Sequence, residues 1–593
     1  MNARVRIVVP AALASLLALT ALPAAGSESD RGESQLAKIN HIVVIYQENH
    51  SFDNLYGGWE GVNGLANAGA DHTVQIKQNG STFACLLQND VNLAGVQPAN
   101  CADTTGTPSN TAFTSHFTNA PFTIDSYIPS TDTTCPAPGV FAPIGVKSGL
   151  GLPGGCTRDI VHRYYQEQYQ LNGGRQNRYA TGSDAAGLVM GVYNTSALPI
   201  YTYLHQEDHP HYAIADNFFE GAFGGSFLNH QWLIAARTPA WIGPDGRGAV
   251  NDGSPSDLHS VVDANGMPAN SALYASPLGS SANPSGPKDQ ALTASCSPGQ
   301  GRSPTPPGTV CGDYAVNTIQ PLSQPYAPGT TIGRRLPALK TPTIGDELSG
   351  KGVDWAWYSG GWDNAAGNTT GPGWTNGTGP ACGDPKTDPK ANTLGTFPNC
   401  PDKLFQYHHQ AFNYFAAYAP GTTARAAHLR DETEFLQLAR SSTDEQCNLK
   451  PVSFVKPIGE DNEHPGYTGE SQGSSHLVEL LKAVEARACQ KDTMVITTYD
   501  EFGGQWDHVA PPGQGTAGGP HDQWGPGTRI PTLIIAPRLP GDFVVDGAQH
   551  DTTSILATIE HRFGLAPLGT RDAAVNDLSS VFSAREVGDG GGD

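Results

Sequence analysis

The sequence predicts an α/β fold with a mostly parallel central sheet and helices on both faces. Two observations carry this. Short apolar runs rich in β-branched residues alternate with helical patterns along the informative segments, as parallel strands joined by helical crossovers read. Two of those runs, Ile42–Ile45 and Met494–Thr498, stop abruptly at polar clusters, where an open α/β sheet places its chemistry. No internal repeat is visible.

At the N-terminus, Arg4 and Arg6 precede the apolar run Ile7–Leu22, and Ala24-Ala25-Gly26 follow. This reads as a secretory signal peptide over residues 1–26. The run is shorter than the roughly 20 residues that span a bilayer. No later segment is long and apolar enough to do so, and a secreted or periplasmic protein without a transmembrane segment is expected. Residues 27–593 are expected to form a single domain. Ten cysteines fit an oxidising compartment. They fall into sequence-neighbour couples, Cys85/Cys101, Cys135/Cys156, Cys296/Cys311, Cys382/Cys400 and Cys447/Cys489, for which local pairing is the working hypothesis. No Cys-x-x-Cys is present, which disfavours a zinc knuckle or a redox motif. The formal net charge of −22 argues against nucleic acid and anionic membranes as equilibrium partners.

In chain order, Ile42–Ile45 is the first buried strand, and Glu48-Asn49 stand where it should end. A carboxylate beside a neutral oxygen donor suits an oxygen-preferring divalent cation, while a turn leaving a strand explains the pair equally. Residues 57–155 are rich in Gly, Ser, Thr, Asn and Pro and read as a loop-rich insertion. Tyr164–Tyr169 begins a helix that Asn172-Gly173-Gly174 ends, with His162 near its start. Gly224-Gly225-Ser226 precedes a helical run, Phe227–Ala236. There Ser226 is either a helix cap or a hydroxyl among free backbone N–H groups, a ready anion site. Asn229, three residues on, would face the same side.

A second low-pattern insertion spans about 238–335. A helix over TIGDELSGKG and a strand over VDWAWYSG follow, then a third insertion at 360–401. His408-His409 open the aromatic stretch HHQAFNYF, and Val452–Val455 is a strand leading toward Glu463-His464. An amphipathic helix is expected over His476–Ala488, a strand over Thr532–Ala536 and a helix over Thr552–Phe563. At the end of Met494–Thr498, Asp500 and Glu501 adjoin each other, with Gly503-Gly504 and Asp507-His508 close behind. Adjacent carboxylates repel unless a cation sits between them.

ENHSFD, GGSFLNH, ENEHPGY, TYDEFGGQWDHVAPP, GPGTRIPTLIIAP and HDTTSILATIEHRFG occur in one order between about His41 and Leu565. Together they resemble the bacterial phosphoesterase family that contains secreted phospholipases C and an acid phosphatase subgroup. HHQAFNYF and VSFVKPIG are closer to the acid phosphatase side. The resemblance implies an alkaline-phosphatase-like fold in which a metal ion and a hydroxyl nucleophile share the site. By that match Glu48, Asn49, Asp500 and Glu501 hold one divalent metal ion, and Ser226 is the nucleophile, Thr in many relatives. His162, His409, His464, Asp507 and His508 fall where the family places phosphate-contacting or proton-transferring groups. In ENHSFD, His50 stands where relatives usually carry Arg, which puts the charge near the metal in question.

Such residues make a phosphoester hydrolase in chemical terms. A serine hydroxyl becomes a nucleophile when a metal stabilises its alkoxide, and an imidazolium can protonate the leaving alcohol. The expected activity is an acid phosphatase of broad specificity acting through a phosphoserine. Its alternative is a phospholipase C cleaving phosphatidylcholine-type lipids, the substrate being a small phosphomonoester or a phospholipid head group. A third reading, a secreted binding protein that keeps the fold without turnover, leaves the filled set of nucleophile and ligand positions unexplained. A sulfatase is excluded for want of a Cys or Ser in a C/S-x-P-x-R setting.

Overall fold

The apolar run after Asn40 forms the strand β1 (His41–Gln47) at the centre of a nine-stranded sheet. The computed structural model describes residues 28–77, 79–86, 98–104, 112–127, 159–183, 187–240, 314–327, 330, 332, 335–375 and 405–587. The remaining sheet strands are β2 (Tyr212–Ala215), β3 (Trp355–Ser359), β4 (Leu429–Asp431), β5 (Val452–Lys456), β6 (Thr493–Tyr499), β7 (Thr532–Ile535), β8 (Phe543–Asp546) and β9 (Arg585–Glu586). Their spatial order is β4-β3-β5-β1-β6-β7-β2-β8-β9. β1 runs parallel to β5 and β6, β3 runs parallel to β4 and β5, and β2 runs parallel to β8. Only β7 and the edge strand β9 run against their neighbours. Every residue of β5 and β6 is buried, so both faces of the sheet are covered, as a parallel sheet requires. The mixed α/β architecture and the mostly parallel sheet agree with the sequence reading.

The helices that bear on the site are α1 (Tyr164–Leu171), α2 (Ser226–Ala235), α3 (Ile344–Lys351), α4 (Glu432–Ser441), α5 (Glu470–Val484) and α6 (Thr552–Phe563). Two differ from expectation. α5 begins six residues before His476, behind the cap residue Gly469, and ends at Val484, with Glu485 as its cap. α2 begins on Ser226 itself, because Gly225 takes the cap position.

Register explains how the two polar clusters meet. β1 and β6 are hydrogen-bonded neighbours with Gln47 opposite Tyr499. Glu48-Asn49 and Asp500-Glu501 therefore leave two parallel strands at the same level, although about 450 residues separate them in the chain. On the other side of β1, Ile45 pairs with Val455, which brings Lys456 level with Tyr46.

Two of the five cysteine couples lie among the described residues, and both are joined as expected, Cys85–Cys101 and Cys447–Cys489. The other three couples, the 1–26 leader and most of the insertions at 238–335 and 360–401 lie outside the described residues. Cys85–Cys101 staples short strands within the 57–155 insertion, where Cys85–Leu86 pairs with Phe117–Thr118 and Cys101–Asp103 with Phe113–Ser115. Cys447–Cys489 has a different place. It joins the segments that lead into β5 and β6, the two strands flanking β1, and Cys489 is fully buried. Closing a loop of 42 residues stabilises by up to about 4 kcal/mol in the chain-entropy account. Replacing Cys447 and Cys489 together by Ser should therefore lower the melting temperature markedly. An unchanged melting curve would show that this bridge does not hold the strand entries.

Behind β1 and β6, Glu463 and Glu470 are both 1% exposed, and burial raises each carboxyl to about 8. A carboxyl raised in the folded state contributes stability that is full below the ordinary carboxyl range and is lost as pH rises through about 8. Stability should fall between about pH 6.5 and 8, a window in which unfolded carboxyls are already ionised. The Glu470→Gln variant should show a shallower fall and melt higher than the parent at about pH 8. Parallel melting curves for parent and variant across that window would refute the assignment of a neutral Glu470.

Candidate active site

Three buried carboxylates converge on one hydroxyl at the ends of β1 and β6. Ser226 Oγ lies 3.3 Å from Glu48 Oε2, 3.3 Å from Glu501 Oε1 and 3.5 Å from Asn49 Oδ1, and Asp500, whose Oδ1 accepts the Asn49 and Glu501 N–H groups, stands beside them. Glu48, Asp500 and Glu501 are 0% exposed and Asn49 is 1% exposed. A hydroxyl has one proton to donate and cannot satisfy three acceptors. Asp500 Oδ2 is left without a hydrogen bond. Burial, then Asp500, raises Glu48 well above the usual carboxylate range, and burial with the same neighbour does so for Glu501. Hard oxygen donors crowded together without water are what a divalent cation binds, and the set fits one.

Local structure presents the hydroxyl. Gly225, not Ser226, caps α2, and no side chain caps its first turn, so Ser226 is free of the capping role that the sequence left open. Gly224 has φ +98°, and a Cβ there would meet Tyr164 N at 2.5 Å; one at Gly225 would meet His162 O at 3.1 Å. The start of α1 therefore packs directly on the loop that carries Ser226. On the opposite side Gly503, at φ +63°, leaves 2.1 Å between a would-be Cβ and Asn49 O, which allows the two ligand loops to touch.

The histidines surround this centre. His409 Nε2 stands 3.1 Å from Glu48 Oε1 without forming a hydrogen bond to it. His464 Nδ1 donates to Pro465 O (2.8 Å), so its Nε2 accepts from Asn49 Nδ2 (2.9 Å). That bond turns Asn49 Oδ1 toward Ser226. His162 Nδ1 faces Ile160 O at 2.6 Å and its Nε2 faces Glu501 Oε1 at 3.3 Å. Its side chain keeps 17% exposure, against 4% for His409. Burial lowers His409 and His464 well below the ordinary imidazole range, with Lys456 and His162 respectively as the next causes.

Three of the expected site residues stand elsewhere. Asn229 does not turn toward Ser226; its amide exchanges two hydrogen bonds with the Ala222 backbone, each 2.9 Å, and braces the loop before Ser226. Asp507 and His508 hydrogen-bond neither Ser226 nor the four oxygen donors. They form a second buried cluster in which Arg529 Nε donates to Asp507 Oδ1 (3.1 Å) and Nη2 to Asp53 Oδ1 (3.0 Å), while His508 Nδ1 meets Asp53 Oδ2 at 2.6 Å. Asp53, Asp507 and His508 lie close enough to hold an ion, but the Arg529 guanidinium already supplies that cluster's positive charge. His50 also resolves. Its ring sits between Asn54 Oδ1 (2.5 Å) and Glu463 O (3.0 Å), and burial lowers it to about 4, so near neutral pH it brings no charge toward Glu48.

Two residues that sequence reasoning passed over complete the centre. His230 lies one helical turn beyond Ser226, donates from Nδ1 to Ser226 O (2.7 Å) and stacks on His409 at 4.9 Å. Glu48, His230 and His409 each offer a ligand atom within 4.8 Å of the others. Lys456, at the end of β5 and 1% exposed, forms an ion pair with Glu48 Oε1 and donates to Tyr46 O (2.9 Å). Its ammonium thus supplies a positive charge against Glu48 from within the chain. The i, i+4 spacing from Ser226 could have pointed to His230, and a lysine ending an apolar run could have pointed to Lys456.

With this geometry in hand, known proteins place the chain. The Phosphoesterase family model matches residues 39–566. Phospholipase C B of Mycobacterium tuberculosis (strain ATCC 25618 / H37Rv) is 35% identical over 159 residues, 23% of this chain and 30% of that protein. Phospholipase C A of the same strain is 32% identical over 163 residues, 24% and 31% of the two chains. Non-specific phospholipase C6 of Arabidopsis thaliana is 28% identical over 155 residues, 23% and 29%. The matched segment spans about a third of these relatives, whereas the family match runs through both ligand loops, Ser226 and the histidines, and on it the chain belongs to the Phosphoesterase family.

Proposed function

We infer that this chain is an exported, metal-dependent phosphoester hydrolase that works through a phosphoserine on Ser226. The observation that carries the reading is the convergence of Glu48, Asn49 and Glu501 on Ser226 Oγ, with Asp500 hydrogen-bonded to the Asn49 and Glu501 backbone beside them. These four residues would hold one divalent cation. When bound it stabilises the serine alkoxide and draws charge from the phosphoryl oxygens. Lys456 neutralises the far side of Glu48, which supports one cation rather than two.

Each group of the chain then has a task. Ser226 Oγ attacks phosphorus, forming the Oγ–P bond as the ester P–O bond breaks and the alcohol leaves. Backbone N–H groups of the first turn of α2 face the transferred group. His162, the partly exposed imidazole that faces oxygen at both nitrogens, gives its Nε2 proton to the departing alkoxide. Water then attacks the phosphoserine, the same ring taking one of its protons, and the P–Oγ bond breaks to return the Ser226 alkoxide with which the cycle began. His464 holds the Asn49 amide in its working orientation and His409 does the same for Glu48. Asn229 fixes the loop ahead of the nucleophile, and Asp507 and His508 support the ligand loop through Arg529 and Asp53.

The proposed substrates are small phosphomonoesters, an acid phosphatase of broad specificity on an alkaline-phosphatase-like fold. The resemblance of HHQAFNYF and VSFVKPIG to that subgroup supports it, since His409 and Lys456 from those two stretches both touch Glu48. A phospholipase C is the second reading, favoured by the relatives' names. Two joined cysteine pairs support export, and no described helix is long and apolar enough to cross a membrane. Side-by-side assay against a phosphomonoester and phosphatidylcholine, with and without chelator, separates the substrates. Chelator should abolish whichever activity is found.

Ser226→Ala should lose at least about 10²-fold in turnover while keeping its metal, because four oxygen donors remain. Full activity in that variant would end the phosphoserine reading. Asp500→Asn should lose metal, measured by elemental analysis, together with activity, while the far-ultraviolet dichroism stays that of the parent. Metal retained at parental stoichiometry would remove Asp500 from the ligand set.

A further inference from the structure

Helix α1 and the loop after Phe219 place Glu167 and Glu220 side by side in the interior, both 0% exposed. Neither has a part in the chemistry above. Glu167 Oε2 accepts the Gly224 N–H (2.5 Å), and its Oε1 accepts the Thr528 N–H (2.7 Å) and hydroxyl (2.9 Å). Glu220 Oε2 accepts the Phe502 N–H (3.1 Å), while its Oε1 stands 3.1 Å from the same Thr528 nitrogen. Both carboxyl groups stand on the one Thr528 N–H, and buried carboxyls held that close keep a proton on one of them. Glu167 already accepts from three backbone and hydroxyl hydrogens, which leaves Glu220 as the one that keeps it. The pair is closed in from outside: a Cβ on Gly527 would fall 2.1 Å from Glu220 Oε1 and 2.5 Å from Glu167 Oε1.

What the pair grips is the two loops of the site. Gly224 stands two residues before Ser226 and is held at φ +98°. Phe502 directly follows Glu501, whose own carboxylate accepts the Gly503 N–H at 2.5 Å. Thr528, the common partner, is in turn hydrogen-bonded to Tyr179 OH at 3.0 Å. We propose that Glu167 and Glu220 are positioning residues for phosphoryl transfer, fastening the nucleophile loop and the Asp500-Glu501 loop to one buried point. The assignment rests on Ser226 as nucleophile and Glu501 as ligand. In such a site a shift of about an ångström between reacting groups costs on the order of 10²-fold in rate, and this clamp sets the spacing of Ser226 Oγ and Glu501.

The test measures kcat and KM for p-nitrophenyl phosphate, with metal content and melting temperature, in Glu167→Gln, Glu220→Ala, Glu220→Gln and Thr528→Val, beside the parent and Ser226→Ala. Glu220→Ala and Glu167→Gln should lower kcat by about 10- to 10²-fold with KM within about twofold of the parent. Glu220→Gln should recover most of the loss in Glu220→Ala, because its amide still accepts from Phe502. Thr528→Val removes a single donor and should lower kcat by about threefold; it decides the matter if the Glu variants do not fold. Parental kcat in a folded Glu220→Ala or in Thr528→Val overturns the proposal, as does Glu220→Gln no better than Glu220→Ala. Ser226→Ala keeps the two readings apart. If it is fully active the nucleophile assignment falls; if it is inactive while Glu220→Ala turns over like the parent, only the clamp falls.

Discussion

Glu48, Asp500 and Glu501 hold three carboxylates around one serine hydroxyl with no exposure to solvent, and the rest of the site answers that concentration of negative charge. Burying like charges together is costly unless positive charge or hydrogen-bond donors compensate. Lys456 compensates on the far side of Glu48, and the His409 ring stands against the same oxygen. His162 faces Glu501, and the Gly503 amide donates to the other Glu501 oxygen. What these leave uncompensated is Asp500 Oδ2, which has no hydrogen-bond partner beside Glu48 and Glu501.

A second acidic cluster shows the same constraint met differently. Asp53 and Asp507 are as buried as the first group, yet Arg529 lies between them and donates to both. A guanidinium fixed by the Asn63 and Asp216 carbonyls makes a permanent counter-charge with no room for exchange. In this cluster the chain supplies its own cation, and the carboxylates bind loops together. The Glu167–Glu220 pair is a third solution, in which the Gly224, Phe502 and Thr528 N–H groups supply the compensation.

Much of this architecture is legible in the sequence because it is set by local pattern. β-branched apolar runs bounded by polar clusters marked β1, β5, β6 and β7 within a residue or so, since a strand buried on both faces admits little else. Glycines before Ser226 and after Glu501 signalled tight backbone approach, and the positive φ values of Gly224, Gly503 and Gly504 bear that out. The start of α5 was misplaced because its first turn, ESQGSSH, is polar and glycine-containing; its helicity comes from packing, which propensity does not contain.

By itself the sequence determined the chemical inventory: buried strands ending in Glu48-Asn49 and Asp500-Glu501, a serine behind two glycines, and histidines to surround them. Tertiary structure alone decided which members of that inventory meet. The β1–β6 register aligns Gln47 with Tyr499 and so brings the two acidic pairs level. Packing turned Asn229 onto the Ala222 backbone and gave Asp507 and His508 to Arg529, while it drew in His230 and Lys456. The physical reason is that a polar side chain's role is fixed by the partner that satisfies it once buried, and that partner lies hundreds of residues away in the chain.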